Sequence, residues 1–327
     1  MKGQKLLITG AAGFTGRHAV HLFLAGGAEV TAVVRPSSTA GALASALFPE
    51  GVKVYYCDLS NRKAVAEMIK ETTPEAVLHL AGNNSVPESW RNPLLYMETN
   101  VMATLYLLEA MRSLPTSRIL VAGSRLKFKP GVVAGPPHPY SLSKTIEELV
   151  SLAWGTLFKQ PVLLAEPCNL IGPGPSTGFC SLLAQHIVRS EVHAGEEIPP
   201  FKLSSRYALR DFLDVRDAVR AYDFILREGT NGIIYRIDSG TQRQLGDIAE
   251  QLISCSSTSI PMDWGPEQAA LSIPVNGVAG DKLTTSDASA TPEENVTSLG
   301  WKPGIEFSQS LTDILDYCRV HWEGRML

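Results

Sequence analysis

The amino-acid sequence predicts an α/β fold, a Rossmann-type doubly wound parallel sheet with a smaller C-terminal α/β domain. Short apolar runs alternate with helix-like segments, as in a parallel sheet that is covered on both faces. The first run enters a glycine-rich turn that opens a helix. After Glu166 this rhythm stops, because six Pro and Gly residues fall within residues 167–178.

Six apolar runs, most of them rich in β-branched residues, are predicted strands: Lys5–Thr9, Glu29–Val34, Val52–Cys57, Ala76–Leu80, Arg118–Ala122 and Pro161–Glu166. Apolar residues at helical spacing predict helices over 94–111 and 142–158. Beyond the Pro/Gly segment, helices are predicted near Phe179–Ser190, Val215–Arg227 and Phe307–Val320, with a strand at Gly232–Ile237.

The length and composition of the chain limit its number of domains and its classes of binding partner. Its 327 residues suggest about two domains. We predict a first domain of residues 1–166 plus about 210–237, and a second of residues 167–209 and 238–327. The net charge is −4 and the basic residues are scattered, so no nucleic-acid partner is predicted.

No apolar stretch is long enough for a membrane span, and the N-terminal apolar run is too short for a signal peptide. The five cysteines include no CxxC pair, so neither a disulfide framework nor a metal site is predicted. We interpret the cysteines as buried thiols of a cytoplasmic protein.

The turn after the first strand places Gly10, Gly13 and Gly16 at GxxGxxG spacing, with Phe14 and Thr15 between them. Glycines let the backbone approach a pyrophosphate, and the N–H groups of a helix N-terminus favour its negative charge. The turn therefore predicts a dinucleotide site. The alternative is a strand-to-helix turn that binds nothing.

The end of the second strand predicts which dinucleotide binds. An NAD site usually has a carboxylate here, whereas an Arg accommodates the 2′-phosphate of NADP. Arg35, Ser37 and Ser38 stand here, so NADP (NADPH) is preferred and NAD remains possible; alternatively, Arg35 is a solvated loop residue. Asp58, before Leu59, is predicted to contact the adenine amino group or, alternatively, to cap the next helix.

Tyr140 and Lys144 are four residues apart at the start of a predicted helix, and so share one face. A cationic Lys144 would favour ionisation of the Tyr140 phenol, which could exchange a proton at a carbonyl or hydroxyl carbon. Ser124, after the fifth strand, could polarise the substrate oxygen or, alternatively, cap a turn. His79 by itself is more readily interpreted as a satisfied core histidine.

Together these motifs resemble the extended short-chain dehydrogenase/reductase family, the NAD(P)-dependent sugar-nucleotide epimerases, dehydratases and reductases. The resemblance covers nearly the whole chain and also rests on residues 168–174 and 210–217. Residues 85–93, 171–179, 210–220 and 299–303 look most like reductases of GDP-4-keto-6-deoxymannose and related nucleotide sugars.

The resemblance implies a catalytic group of Ser124, Tyr140 and Lys144, and a homodimer that pairs the helices at 93–113 and 141–158. It also implies contacts of Asn169 and Arg210 with the diphosphate of a nucleotide-sugar substrate; the alternative for Arg210 is a surface ion pair with Asp211 or Asp214. Further residues are implied to contact the cofactor: Leu80, Ala81, Gly82, Asn100, Tyr140, Lys144 and Pro167. Asn84 and Ser124 are implied to contact the substrate.

Departures from the family pattern bear on the reaction. A 4,6-dehydratase carries Asp-Glu directly after the catalytic Ser or Thr, where this chain has Arg125-Leu126, so dehydration is not predicted. The acidic ribose-binding residue of epimerases that retain NAD is also absent, which favours NADPH-dependent reduction at C4 of a nucleotide 4-keto-6-deoxy sugar. A nucleotide-sugar 4-epimerase is the alternative, and a dinucleotide-sensing regulatory protein is the non-enzyme alternative.

Other departures change charge. Arg125, Lys127 and Lys129 stand where relatives are acidic or apolar, and they could bind a phosphate or form a solvated loop. Glu166 stands where relatives commonly have an arginine before Pro167. Gln185 replaces a lysine of the most similar reductases. The sequence therefore does not assign the nucleotide base.

Overall fold

The protein is described by a computed structural model over residues 1–36, 47–131, 135–203, 205–265 and 292–322. In chain order the first half contains β1 (Lys5–Thr9), α1 (Phe14–Ala25), β2 (Glu29–Val34), β3 (Lys53–Tyr56), α2 (Arg62–Thr72), β4 (Ala76–His79), α3 (Val86–Arg91), α4 (Pro93–Tyr96), a π-helical segment (Met97–Met102), α5 (Ala103–Met111), β5 (Arg118–Ala122), α6 (Pro139–Phe158) and β6 (Val162–Pro167). The second half contains β7 (Asn169–Ile171), α7 (Phe179–Val192), β8 (Phe201–Lys202), β9 (Leu209–Asp214), α8 (Val215–Glu228), β10 (Ile234–Ile237), β11 (Gln242–Gln244), α9 (Leu245–Ile253), β12 (Met262–Asp263), β13 (Glu293–Asn295), a 3₁₀ turn (Val296–Leu299) and α10 (Phe307–Val320).

The chain divides into two compact units. The first comprises the described parts of Met1–Pro167, Val219–Ile237 and Asp281–Trp301. The second comprises those of Cys168–Ala218, Asp238–Gly280 and Lys302–Leu327. The predicted use of the second domain for substrate binding stays a prediction.

The first unit is built on an eight-stranded sheet in the order β13-β10-β6-β5-β4-β1-β2-β3. Every neighbouring pair is parallel, which confirms the predicted doubly wound sheet. The strand order reverses between β1 and β4, and folds of this kind bind ligands outside the carboxyl ends of the strands at such a point. The edge strand β13 was not predicted from sequence, because it has only three residues, two of them glutamates.

The core of the first unit lies between the sheet and its helices. Leu7, Val77 and Ile119 come from three strands and are fully buried against Met68 of α2 and Leu107 of α5. Burial of each such side chain contributes about 1.5–3 kcal/mol to the free energy of unfolding. The carboxyl ends of these strands are therefore held on a rigid support.

The second unit contains a three-stranded sheet in the order β11-β9-β7 and a two-stranded sheet of β12 and β8. Strand β9 pairs antiparallel with β11 and parallel with β7. Phe212 of β9 packs with Leu183 of α7, Ile248 of α9 and Leu311 of α10 in a separate core.

Two local predictions need correction. The helix predicted over 94–111 is interrupted by the π-helical segment Met97–Met102, and such segments are frequent at functional sites. The five cysteines are thiols and four of them are buried, but Cys255 is exposed, so the interpretation as a buried thiol is wrong for Cys255. Within the described ranges, no helix is long and apolar enough to cross a bilayer, and no cluster of three or more His, Cys, Asp or Glu side chains could hold a metal ion.

Candidate active site

The glycine-rich turn connects β1 to α1 at the carboxyl edge of the sheet. Gly10 has a φ of +65°, and a Cβ there would lie 2.8 Å from the backbone nitrogen of Ala81. A Cβ on Gly16 would lie 2.7 Å from the Cα of Ala11. Gly13 caps α1 without a side-chain hydrogen bond, which leaves the first N–H groups of the helix available to an anion. Phe14 and Thr15 are the first two residues of α1.

The exit of β4 is held against this turn by Thr9. The backbone N–H groups of Leu80 and Ala81 both donate to Thr9 Oγ1 at 3.2 Å. Thr9 Oγ1 lies 2.7 Å from Nδ1 of His79. Burial, together with the positive charge of Lys144, lowers the pKa of His79 to about 3. His79 is thus the neutral, hydrogen-bonded core histidine that the sequence indicates.

Asn100 lies in the π-helical segment and is fully buried. Its Nδ2 donates to the carbonyl of Asn83 at 3.0 Å and to Oγ of Ser143 at 2.9 Å, and its Oδ1 accepts from Asn83 N at 2.8 Å. A Cβ on Gly82 would lie 3.0 Å from Asn100 Oδ1. Asn100 therefore shapes the loop of residues 82–84, in which Asn84 is exposed. Direct contacts of Asn100 and Asn84 with ligands stay predictions.

Arg35 and Asp58 follow neighbouring strands and are both exposed. Hydrogen bonds from the backbone N–H and hydroxyl of Ser60 hold the pKa of Asp58 below its ordinary value, and the charge of Arg35 acts in the same direction. The N-terminal cap of α2 is Asn61, whose side chain accepts hydrogen bonds from the backbone N–H groups of Lys63 and Ala64. The alternative assignment of Asp58 as that cap is therefore wrong.

Tyr140 lies in the first turn of α6, which begins three residues earlier than predicted, at Pro139. The Tyr140 side chain is 6% exposed. Its ring stacks on His138, with centroids 6.0 Å apart, and meets Tyr96 edge-on at 6.2 Å. His138 also caps α6, because its Nδ1 accepts from Ser141 N at 2.9 Å. His138 was not predicted from sequence, since histidine is not among the usual capping residues.

Lys144, on the same face of α6, is buried. Its Nζ donates to the carbonyl of Ala122, the last residue of β5, at 2.8 Å, and also contacts the carboxylate of Glu147. Burial opposes the positive charge, but Glu147, with smaller contributions from Tyr140 and Glu148, outweighs burial and holds the pKa of Lys144 above its ordinary value. The bond to Ala122 fixes α6 to the strand end that carries Ser124.

Ser124 is half-buried and lies two residues beyond β5. Its Oγ accepts from the backbone N–H of Leu126 at 3.1 Å, so the predicted alternative, a turn cap, is also observed. Because a hydroxyl that accepts through one lone pair still carries its own proton, Ser124 can donate to a substrate oxygen at the same time.

Lys127 does not face solvent as a phosphate-binding residue would. Its Nζ lies 2.8 Å from Glu148 Oε2, 2.7 Å from Glu166 Oε1 and 3.7 Å from Glu293 Oε1. Burial opposes the charge of Lys127, but the carboxylates of Glu166 and Glu148 outweigh burial and raise the pKa of Lys127. Two departures from the family pattern, Lys127 and Glu166, are thus partners in one ion-pair cluster, although the sequence gives no sign that they are related.

In the second unit, Asn169 and Arg210 are exposed. Asn169 Nδ2 donates to the carbonyl of Asp211 at 2.8 Å, and Arg210 donates to the carbonyl of Leu209 at 2.7 Å. Across the described ranges Arg210 forms no ion pair, because Asp211 and Asp214 are bonded to other side chains. The predicted alternative, a surface ion pair of Arg210 with either carboxylate, is not observed.

The remaining predicted site residues are placed as follows. Leu59 is half-buried against the core of the first unit, and Pro167 is the half-buried last residue of β6. Ser37 and Ser38, predicted beside the cofactor, lie outside the described residues.

Residues 6–238 match the model of the NAD dependent epimerase/dehydratase family. GDP-6-deoxy-D-mannose reductase of Pseudomonas aeruginosa is 29% identical, over 99% of this chain and 98% of its own length. Among solved structures, RMD from Pseudomonas aeruginosa, complexed with NADPH, superposes with a TM-score of 0.71 at 25% identity, covering 97% of this chain and 100% of its own. UDP-glucose 4-epimerase of Thermus thermophilus, complexed with NAD, has a TM-score of 0.75 at 22% identity, with coverage of 97% and 99%.

Proposed function

The chain belongs to the NAD dependent epimerase/dehydratase family, as its motifs predict, and we propose that it reduces the C4 ketone of a nucleotide-diphospho-4-keto-6-deoxy sugar with NADPH. It is an NAD(P)-dependent enzyme of the oxidoreductase and epimerase kind. The observation that carries the proposal is the fixed arrangement of Tyr140 and Lys144 on α6, tied to the end of β5 that bears Ser124.

The residues of the first unit fit a dinucleotide. Gly10 and Gly16 let the turn fold tightly against the exit of β4 and against itself, because a Cβ at either position would collide with backbone atoms. Since α1 also opens without a side-chain cap, this turn would hold the pyrophosphate. Arg35 is exposed at the end of β2, where it would pair with a 2′-phosphate. When bound, the reduced nicotinamide supplies a hydride. NADPH is the proposed cofactor on the strength of Arg35.

In the proposed reaction Tyr140 donates its phenolic proton to the C4 oxygen of the substrate, while the Ser124 hydroxyl donates a hydrogen bond to the same oxygen. The C4 ketone becomes a hydroxyl group by gaining a hydride at carbon and this proton at oxygen. The ammonium of Lys144 stabilises the phenolate that remains on Tyr140. General acid catalysis of this kind contributes about 10²–10⁴-fold to the rate.

Reduction is favoured over dehydration because the residues after Ser124 are Arg125 and Leu126. Removal of water across two carbons needs an acid and a base, and neither residue is a carboxylic acid. Reduction is favoured over epimerisation by Arg35, since a dissociable NADPH suits net turnover of the cofactor.

We assign the nucleotide diphosphate to Asn169 and Arg210. The planar guanidinium of Arg210 is exposed and matches a phosphate in shape and charge. Replacing it by Met is expected to raise KM for the sugar nucleotide about 10–100-fold, because a charge-assisted hydrogen bond contributes about 1.5–3 kcal/mol. Arg243, which is opposite Arg210 in the β9–β11 ladder and lies over the Phe307 ring, is the matched control. Equal KM values for Arg210→Met and Arg243→Met would contradict the assignment.

A homodimer is part of the proposal. Leu94, Met102, Leu149 and Leu157 are large apolar side chains on α4, the π-helical segment and α6, and they are 37–72% exposed. Such a set of apolar residues is typical of a surface that pairs with a second copy. Sedimentation of the wild type and of Leu94→Glu/Leu157→Glu tests this. The proposal requires a dimer that the double substitution dissociates, and a monomeric wild type would contradict it.

The direct test is oxidation of NADPH with a panel of nucleotide 4-keto-6-deoxy sugars that carry GDP, dTDP, CDP or UDP. Tyr140→Phe is expected to lower kcat at least about 100-fold. The control is Tyr317→Phe, which removes the hydroxyl group of a tyrosine in α10 whose ring stacks on His321. This variant is expected to keep the wild-type kcat. No turnover of any substrate would overturn the proposal, as would full activity of Tyr140→Phe. Sugar interconversion without net loss of NADPH would indicate the epimerase instead.

A further inference from the structure

The mechanism leaves one buried ionisable group on α6 without a role. Glu147 is 1% exposed and lies three residues after Lys144. Its carboxylate contacts Lys144 Nζ. Within the described residues no other carboxylate lies at ion-pair distance from Lys144. The lysine that assists proton transfer therefore has a single negative partner.

The Glu147 carboxylate is held in place from the other side by Thr104 of α5. Its Oε1 lies at hydrogen-bonding distance, 3.2 Å, from the Thr104 hydroxyl. Thr104 Oγ1 also lies 2.9 Å from His79 Nε2 and 2.7 Å from the carbonyl oxygen of Asn100. Since His79 is hydrogen-bonded to Thr9 through its other ring nitrogen, a continuous chain joins the base of the glycine-rich turn to Lys144.

Burial makes this partner necessary. A lysine removed from water without a counter-ion loses its proton readily, and fully buried lysines titrate several pH units below exposed ones. The bond from Lys144 to the Ala122 carbonyl is a bond to a neutral acceptor and does not balance the charge. The other titratable groups that face the pair are Tyr140 and Glu148 on α6 and the neutral His79 on β4. Of these, Glu148 is occupied by Lys127.

We propose that Glu147 is a positioning residue that keeps Lys144 protonated in its buried site and thereby sustains proton donation by Tyr140 at neutral and alkaline pH. The assignment of Glu147 to Lys144 stands on the geometry of the first unit. Its consequence for turnover rests on the proposed function.

The test measures the charge of Lys144 itself. In protein labelled with ¹³C-lysine, the Cε resonance of Lys144, identified by its absence from Lys144→Met, reports protonation as pH rises. Glu147→Gln keeps the size of the side chain and removes its charge. The titration midpoint of Lys144 is expected to fall by at least about two pH units in Glu147→Gln. In Glu148→Gln, the matched control, it moves by less than about half a unit.

An unchanged Lys144 midpoint in folded Glu147→Gln would overturn the proposal, and so would equal shifts in the two variants. Because this titration needs no substrate, it separates the inference from the proposed function. In the reductase assay, the alkaline limb of kcat is expected to move to lower pH in Glu147→Gln by a similar amount, with KM for the sugar unchanged. A shifted lysine titration without any turnover would contradict the function alone.

A second measurement applies if Glu147→Gln does not fold. Lys144→Met leaves Glu147 buried without a cation, so the folded protein binds a proton there more tightly than the unfolded chain does. The free energy of unfolding of Lys144→Met, relative to Lys144→Met/Glu147→Gln, should therefore rise as pH is lowered from about 8 to about 5. Identical pH dependence of the single and double variants would overturn the proposal.

Discussion

Two lysines, one on α6 and one in the segment after β5, pair with adjacent glutamates of α6. Lys144 pairs with Glu147, and Lys127, in the segment after β5, pairs with Glu148. The Lys144 side chain is 8% exposed, and among the described residues it has a single carboxylate partner. The Lys127 side chain is 19% exposed and is surrounded by three carboxylates, the third of which comes from β13.

The difference shows how the same chemical pair serves two purposes. At Lys127, loss of one carboxylate leaves two others, so the charge of the lysine is secure and the cluster joins α6 to strands of the sheet. At Lys144, one carboxylate controls whether the ammonium keeps its proton in the proposed arrangement, and the proposed proton donation by the neighbouring Tyr140 depends on that charge. The number of partners and the depth of burial distinguish the proposed catalytic lysine from the structural one.

The largest expected difference is in catalysis. Lys144→Met is expected to lower kcat for NADPH-dependent reduction by about 10²–10⁴-fold, because it removes the cation that supports proton transfer. Lys127→Met should leave kcat within about a factor of three, since Lys127 contacts no group in that transfer. Steady-state kinetics of the two purified variants checks this, and equal losses in both would break the distinction.

The next effect is in stability. Lys127→Met leaves Glu148, Glu166 and Glu293 without their cation, and is expected to lower the free energy of unfolding by about 2–4 kcal/mol at about pH 8. Burial already raises the pKa of Glu148. A carboxyl group whose pKa is higher in the folded state makes stability rise as pH falls, so the loss should shrink towards about pH 5.5. Urea unfolding at both pH values measures it; a loss independent of pH would contradict the electrostatic origin.

The smallest effect is expected from removing one of the three carboxylates. Glu166→Gln should cost at most about 1 kcal/mol in unfolding free energy, because Lys127 keeps Glu148 at 2.8 Å and the amide can still accept a hydrogen bond. The matched comparison is Lys127→Met in the same urea series. If Glu166→Gln proved as destabilising as Lys127→Met, the carboxylates of the cluster would not be interchangeable.

The doubly wound sheet was predictable from sequence because its strands are continuous apolar runs. The roles of Gly10 and Gly16 in the turn were predictable because glycines that allow a close backbone approach occur there at a fixed spacing. Tyr140 and Lys144 were predictable because four residues on a helix define one face. These features are local, so their signals lie within a few neighbouring residues.

The partners of those residues were not predictable in the same way. Glu147 and Glu148 are adjacent in sequence, and only the packing of α6 shows that one faces Lys144 and the other Lys127. Glu166 is separated from Lys127 by 39 positions of sequence, so each looked like an isolated departure from the family pattern. His138 was missed because its stacking on Tyr140 depends on where α6 begins.

The most direct test of the proposed reaction follows the hydride. The enzyme is incubated with NADPH deuterated at the transferred position and a nucleotide 4-keto-6-deoxy sugar, and the product is analysed by NMR and mass spectrometry. We expect deuterium at C4 of the sugar, in equimolar amount to the NADP⁺ formed. Product that carries no deuterium at C4, or sugar converted without formation of NADP⁺, would contradict the reductase mechanism.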